Sequence, residues 1–194
     1  MDKKLPVYKI TKPKEGLGGV FEVAFVDEPA IMTDFLMFEN KQKFAVEKER
    51  QLITTPVLIA DLPIYRRDNV KGEFYVVFDV DSVRDLQYEF MKTNRLHKVN
   101  EMHDSDKPIN GVFMVNSFLS DIQMGIEPPK AFSDLPYGTW YVTYHISNKD
   151  VWDNFIKTGM FKGVSVEGVF DLIDEKSELE KNILETINEI LNEQ

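Results

Sequence analysis

Three side chains stand where their types and neighbours suit chemistry. Ser165 lies in Lys162-Gly163-Val164-Ser165-Val166-Glu167-Gly168-Val169-Phe170, where β-branched residues alternate with small or polar ones. That alternation predicts a strand. On it Ser165 and Glu167 share one face, and Val164 and Val166 the other. Gly163 and Gly168 leave room for a bulge or for close approach of another chain. An uncovered serine on a rigid strand suits a nucleophile, yet an ordinary solvent-facing strand serine has the same local pattern. His103 leaves a short strand for the polar turn of residues 102–108. It reads as a surface histidine or as a general base, since imidazole titrates near neutral pH. Glu22 is a carboxylate inside the apolar run Val20-Phe21-Glu22-Val23-Ala24-Phe25-Val26. It marks an exposed strand face or a charge that orients a histidine.

Other chemistries find less support. Asp104 and Asp106 flank the region of His103, but no second histidine stands at ligand spacing, and His97 belongs to the preceding loop. No metal is expected. Gly16-Leu17-Gly18-Gly19 lacks the Lys-Ser/Thr of a phosphate loop and opens a strand rather than a helix, so no cofactor is expected. Arg66-Arg67 could hold an anion or steady an oxyanion, and also fits a solvated loop. The chain has no cysteine, which excludes disulfides and thiolate catalysis. A formal charge of -10 argues against a nucleic-acid surface. No run reaches the roughly 18 apolar residues of a membrane span, and the first residues lack a signal-peptide core, so a soluble intracellular protein is expected.

These residues need elements to hold them. With 43% hydrophobic and 29% charged residues, the 194-residue chain should fold around one core. Strands are expected at 7–10, 20–26, 35–39, 42–47, 52–59, 74–78, 111–119 and 140–146, besides the serine strand. Phe21, Val23 and Phe25 should share one face, and so should Val112, Met114, Asn116 and Phe118, with Asn116 buried and hydrogen-bonded. His145 shares an expected outer face with Thr143 and Tyr141. The period then changes to helical over residues 82–94, with Val83, Leu86, Phe90 and Met91 as the apolar stripe and Asp81-Ser82 as the cap. A second helix should run over 151–158 after Asn148-Lys149-Asp150 and stop at Gly159. Residues 121–136 read as a long loop. At 177–191, a capping box and a stripe of Leu179, Ile183, Leu184, Ile187, Ile190 and Leu191 predict an amphipathic helix. The expected organisation is a domain of residues 1–174 and a terminal helix of 175–194, which could pack on the domain, pair with a second copy or dock on a partner.

Three segments together resemble the phage prohead protease family, in particular its XkdF-like serine proteases. They are Phe25-Val26-Asp27-Glu28-Pro29-Ala30-Ile31; the stretch from Ser82 through Phe90-Met91 and His103 to Val115; and Gly138-Thr139-Trp140, Val151-Trp152 and Gly159 leading into the serine strand. The resemblance implies an α+β, mostly β fold: an antiparallel barrel with flanking helices, like the herpesvirus assembly protease. It implies Ser165 as nucleophile and His103 as general base. In better-known prohead proteases a segment resembling EVSLVxxPA follows the serine strand and supplies a glutamate. Here the similar Glu22-Val23-Ala24-Phe25-Val26-Asp27-Glu28-Pro29-Ala30 comes first, which implies a permuted order with Glu22 beside His103. Asn116, Asp104 and Glu167 stand as alternatives for that third role. The implied activity is endoproteolysis of scaffold and major capsid precursors, in the host cytoplasm inside the assembling prohead, without a cofactor, nucleic acid or membrane. Self-association is left open. The competing reading is a non-enzymatic assembly factor on the same fold, binding scaffold through its terminal helix.

Overall fold

The computed structural model describes residues 5–13, 18–27, 44–96 and 99–174. The strand expected at 35–39, the start of that at 42–47, the later part of the 25–31 motif, His97 and the terminal helix of 175–194 lie outside these residues. In chain order the strands are β1 (Val7–Thr11), β2 (Gly19–Val26), β3 (Ala45–Glu47), β4 (Leu52–Leu58), β5 (Ile64–Asp68) and β6 (Gly72–Val77). Helix α1 (Val80–Lys92) follows, then β7 (Val99–Glu101), β8 (Asp104–Pro108), β9 (Val112–Leu119) and β10 (Trp140–Ile146). Helix α2 begins as an α-turn (Lys149–Val151) and continues as a π-helical turn (Trp152–Ile156), before β11 (Gly163–Val169) and β12 (Asp171–Asp174).

The strands form three four-stranded sheets, ordered β12-β1-β6-β5, β3-β4-β10-β9 and β11-β2-β7-β8. The fold is mostly β, as expected. Among the described residues no sheet closes into the expected antiparallel barrel, and the pairings β1–β6 and β2–β7 are parallel. Apolar alternation marks which residues form strands, but carries no information on the direction or closure of their pairing.

One core joins the sheets. Phe25 of β2 meets Phe44, Tyr144 and Phe161 at ring-centroid distances of 5.5, 5.4 and 5.9 Å. Helix α1 covers β2 and β10 with Val83, Leu86 and Phe90, and Phe90 packs edge-on against Trp140 at 5.2 Å. Burial of each such side chain contributes about 1.5–3 kcal/mol. The helix starts two residues before its expected position, because Asp79 rather than Asp81 accepts the Ser82 N–H, at 2.8 Å. Met91 falls outside the stripe and is 39% exposed. After the helix, Arg95 donates to the Val20 carbonyl at 2.7 Å and lies over the Phe21 ring, which fixes the stretch of β2 that carries Glu22.

Two bulges rearrange the expected faces. Between β2 and β11 the register slips at Phe21, so Val20, Val23 and Phe25 enter the core while Phe21 does not. In β9 the slip falls at Val115. Val112 and Met114 stay inside, but Ser117 then takes the inner position and Asn116 is exposed, contrary to expectation. An extra residue moves every later side chain to the other face. Ser117 Oγ accepts from Trp140 Nε1 at 2.9 Å and Gln87 Nε2 at 3.1 Å. His145, expected on the outer face, is half-buried against Phe113.

Candidate active site

Strand β2 is the hub. It pairs antiparallel with β11, placing Ala24 opposite Ser165 and Glu22 opposite Glu167. On its other side it pairs parallel with β7, placing Ala24 beside Asn100. Cross-strand partners share a face. Ser165, Ala24 and Asn100 therefore form one row across three strands, and Glu167 and Glu22 lie on the same face. The opposite face carries Val164, Val166, Val23 and Phe25 against the core. Ala24 is fully buried.

Two carboxylates opposite one another would repel. Asn100 resolves this from a buried position. Its Nδ2 donates to Glu22 Oε2 at 2.7 Å and to Glu167 Oε1 at 3.1 Å, using both amide hydrogens. Its Oδ1 is buried with no protein partner among the described residues.

His103 arrives from the turn between β7 and β8. Met102 and His103 both take left-handed backbone angles, φ 51° and 62°. Such angles cost roughly 1–2 kcal/mol for a residue with a side chain. The Met102 N–H donates to the Phe25 carbonyl at 3.1 Å and anchors the turn to β2. The imidazole Nδ1 then lies 2.9 Å from Glu167 Oε1. An ionised carboxylate only accepts, so Nδ1 is the donor, and in the neutral imidazole the lone pair is then on Nε2. The turn is tied at the Phe25 row and Glu167 belongs to the Glu22 row. No hydrogen bond joins Ser165 to His103 among the described residues.

The structure separates the candidates for the third role. Glu167 touches His103. Glu22 bonds Asn100 and stands one hydrogen bond behind. Asp104 is held by Lys107 at 3.0 Å and by the Asp106 N–H at 3.1 Å. The Lys107 hydrogen bond, then the Asp106 backbone, keep the Asp104 carboxyl below its ordinary range. Asn116 is exposed in a different sheet. Asn100 was no candidate from sequence; its only sign there is an amide inside a three-residue strand. No cluster of three or more His, Asp or Glu suited to a metal occurs among the described residues.

Two hollows flank β11. One, of about 190 Å³, has Ser165 in its wall together with Ile10, Val57, Leu58, Phe78 and Arg66. The other is an open cleft beside Glu22, Glu167 and Ser105. Val166 and Phe170 border both. Burial pushes the Arg66 guanidinium below its ordinary pKa.

Residues 40–174 match the family described as "Putative phage serine protease XkdF". The chain belongs to this family. The XkdF match spans Arg66, Asn100, His103, Ser165 and Glu167, and leaves Glu22 and β2 outside it. No curated protein and no solved structure matches the chain. A serine protease of the triad kind uses a hydroxyl nucleophile, a base and a group to orient that base. Hydroxyl, imidazole and carboxylate all stand on the one face of β11 and β2.

Proposed function

We propose that the chain is a phage serine endopeptidase that cleaves scaffold and capsid precursor proteins inside an assembling prohead in the host cytoplasm. Ser165 is the nucleophile, His103 the general base and Glu167 the group that orients the base. The observation that supports this reading is the 2.9 Å contact between His103 Nδ1 and Glu167 Oε1, made on Ser165's own strand and face. Kinship in fold with the herpesvirus assembly protease rests on the order of the sequence motifs, not on a closed barrel.

In the reaction, Ser165 Oγ attacks the scissile carbonyl carbon while His103 Nε2 takes the hydroxyl proton. The carbonyl electron pair moves to oxygen, and the imidazolium is stabilised by Glu167. Collapse expels the amine, which leaves with the proton from Nε2. Water then hydrolyses the acyl-enzyme by the same steps. Catalytic hydrogen bonds are often long without substrate and tighten when it binds, which accommodates the missing Ser165–His103 bond. Glu22 holds Asn100, and Asn100 steadies Glu167.

The competing reading is a scaffold-binding assembly factor whose serine is unused. The missing Ser165–His103 hydrogen bond favours it. A fluorophosphonate probe, which reacts with activated serines, decides between the two. Wild type should label and Ser165→Ala should not, with His103→Ala slowed at least 100-fold, in line with the 10²–10⁴ typical of general bases. Equal labelling of wild type and Ser165→Ala would rule out the nucleophile.

A further inference from the structure

The hollow on the Val164 and Val166 side of β11 also has Ser165 in its wall. Its walls are mostly apolar: Ile10, Val57, Leu58, Ile64 and Phe78. One cation, Arg66, stands in the same wall as Ser165. Its guanidinium donates to the Tyr65 carbonyl at 3.1 Å, and no carboxylate pairs with it among the described residues. A guanidinium has five N–H donors. A half-buried cation with most donors unmatched is unfavourable unless something pairs with it. The chain has 33 acidic residues against 23 basic ones, so a lone cation in an apolar wall is not a by-product of excess positive charge.

Strand geometry points to a peptide as the occupant. β11 is the outer strand of its sheet. β3 covers β4 only from Leu52 to Thr54, and among the described residues no strand pairs that edge of β4 beyond it. Val57 and Leu58 of β4 and residues 164–166 of β11 line the same hollow. Unpaired strand edges accept an extended peptide through main-chain hydrogen bonds. At about 190 Å³ the hollow is roomy enough for one side chain, since an apolar cavity of about 150 Å³ holds a benzene ring.

Resting on the protease reading, we propose that this hollow receives the side chain on the acyl side of the scissile bond, and that Arg66 selects a carboxylate there. Glutamate fits best: its methylenes meet the apolar walls and its carboxylate meets the guanidinium. Arg66 is thus a specificity-determining residue rather than a catalytic one.

The test has two arms on the full chain. In the first, wild type, Arg66→Met and Arg66→Lys each digest a denatured proteome peptide pool, and cleaved bonds are read by mass spectrometry. Wild type should cleave after Glu at least about tenfold more often than after Gln, the discrimination expected of one charge-assisted hydrogen bond. Arg66→Met should lose that ratio and Arg66→Lys keep most of it. In the second, binding of N-acetyl-glutamate amide and N-acetyl-glutamine amide to Ser165→Ala is followed by NMR, with and without Arg66→Met. Only the glutamate compound should perturb the signals of the hollow, and only with Arg66 present. Cleavage without acidic preference, or with a preference that Arg66→Met leaves intact, overturns the pocket while the protease reading stands. Glutamate binding at Arg66 without cleavage by wild type supports the pocket and overturns the protease reading. Absence of both overturns both.

Discussion

Replacing Glu167 by glutamine tests which carboxylate serves the base. The change keeps size and shape, and removes one negative charge from the atom that lies 2.9 Å from His103 Nδ1 and 3.1 Å from Asn100 Nδ2. The glutamine oxygen can still accept from both, so the imidazole keeps its tautomer but its cation loses the charge that stabilises it. Hydrogen bonds to charged groups contribute about 1.5–3 kcal/mol, which corresponds to a rate loss of roughly 10- to 150-fold. The His103 side chain is 39% exposed, so solvent screening places the expected loss toward the lower end. Should the glutamine instead turn its amide toward Nδ1, the proton would move to Nε2 and the base would be blocked; a comparable tautomer change in a buried triad costs about 10⁴-fold. Glu22→Gln serves as the control. Glu22 contacts Asn100 rather than the imidazole, so its loss should slow the reaction by about threefold or less, a neutralisation felt through one intervening hydrogen bond. The assay is the second-order rate of fluorophosphonate labelling at Ser165, with the melting temperature measured alongside to exclude unfolding. An unchanged rate for Glu167→Gln together with a large loss for Glu22→Gln would refute the assignment and return the third role to Glu22.

Two further predictions concern the scaffold that holds this face. Asp79 caps α1 through the Ser82 N–H and pairs with Lys9 at 2.5 Å. Asp79→Ala should remove about 1 kcal/mol of capping and lower the melting temperature by about 2–4 °C for a chain of this size. Burial acts to raise the Asp79 pKa, but the hydrogen bonds from Lys9 and Ser82 outweigh it, so the folded value lies below the ordinary one. Its stabilisation is therefore present above the unfolded carboxylate pKa of about 3.9 and is lost as pH falls through the folded value. The gap between wild type and Asp79→Ala should hold near neutral pH and narrow below about pH 4; a constant gap down to pH 3 would refute the linkage. Ser117→Ala leaves the Trp140 and Gln87 donors without their shared acceptor. It should cost about 1–3 kcal/mol for each donor left buried and unpaired, read as a shifted denaturation midpoint with an unchanged slope.

Much of the local structure was legible because it depends on neighbours in sequence. The period change into α1, the Asn148 cap, which accepts from the Asp150 and Val151 N–H groups, and the alternation in β2, β10 and β11 all follow from short-range pattern. Errors arose where one extra residue entered a ladder. Alternation assumes an unbroken period of two, and nothing in Phe21-Glu22 or Val115-Asn116 announces a bulge. A bulge exists only relative to the partner strand, so it is a property of two segments far apart in the chain. Face assignments hold on one side of a bulge and invert on the other: in β2 Val23 and Phe25 keep the expected face and Val20 and Phe21 do not. This explains why Val112 and Met114 were placed correctly while Asn116 and Ser117 exchanged roles.

The same distinction bears on the site. Ser165 and Glu167 share a face through strand alternation alone, which sequence can supply. Glu22 faces Glu167 through pairing 145 residues apart, and Asn100 joins them through a parallel pairing. Neither relation is written in local pattern. Sequence motifs alone directed the third role to the glutamate whose surroundings resembled a known segment. Distance instead directs it to the glutamate two residues from the serine. The two readings are joined physically by Asn100. Both of its N–H groups are engaged on the opposed carboxylates, so the two share one donor. On the proposed reading the Glu167 carboxylate orients His103, and Asn100, itself held by Glu22, fixes where that carboxylate stands.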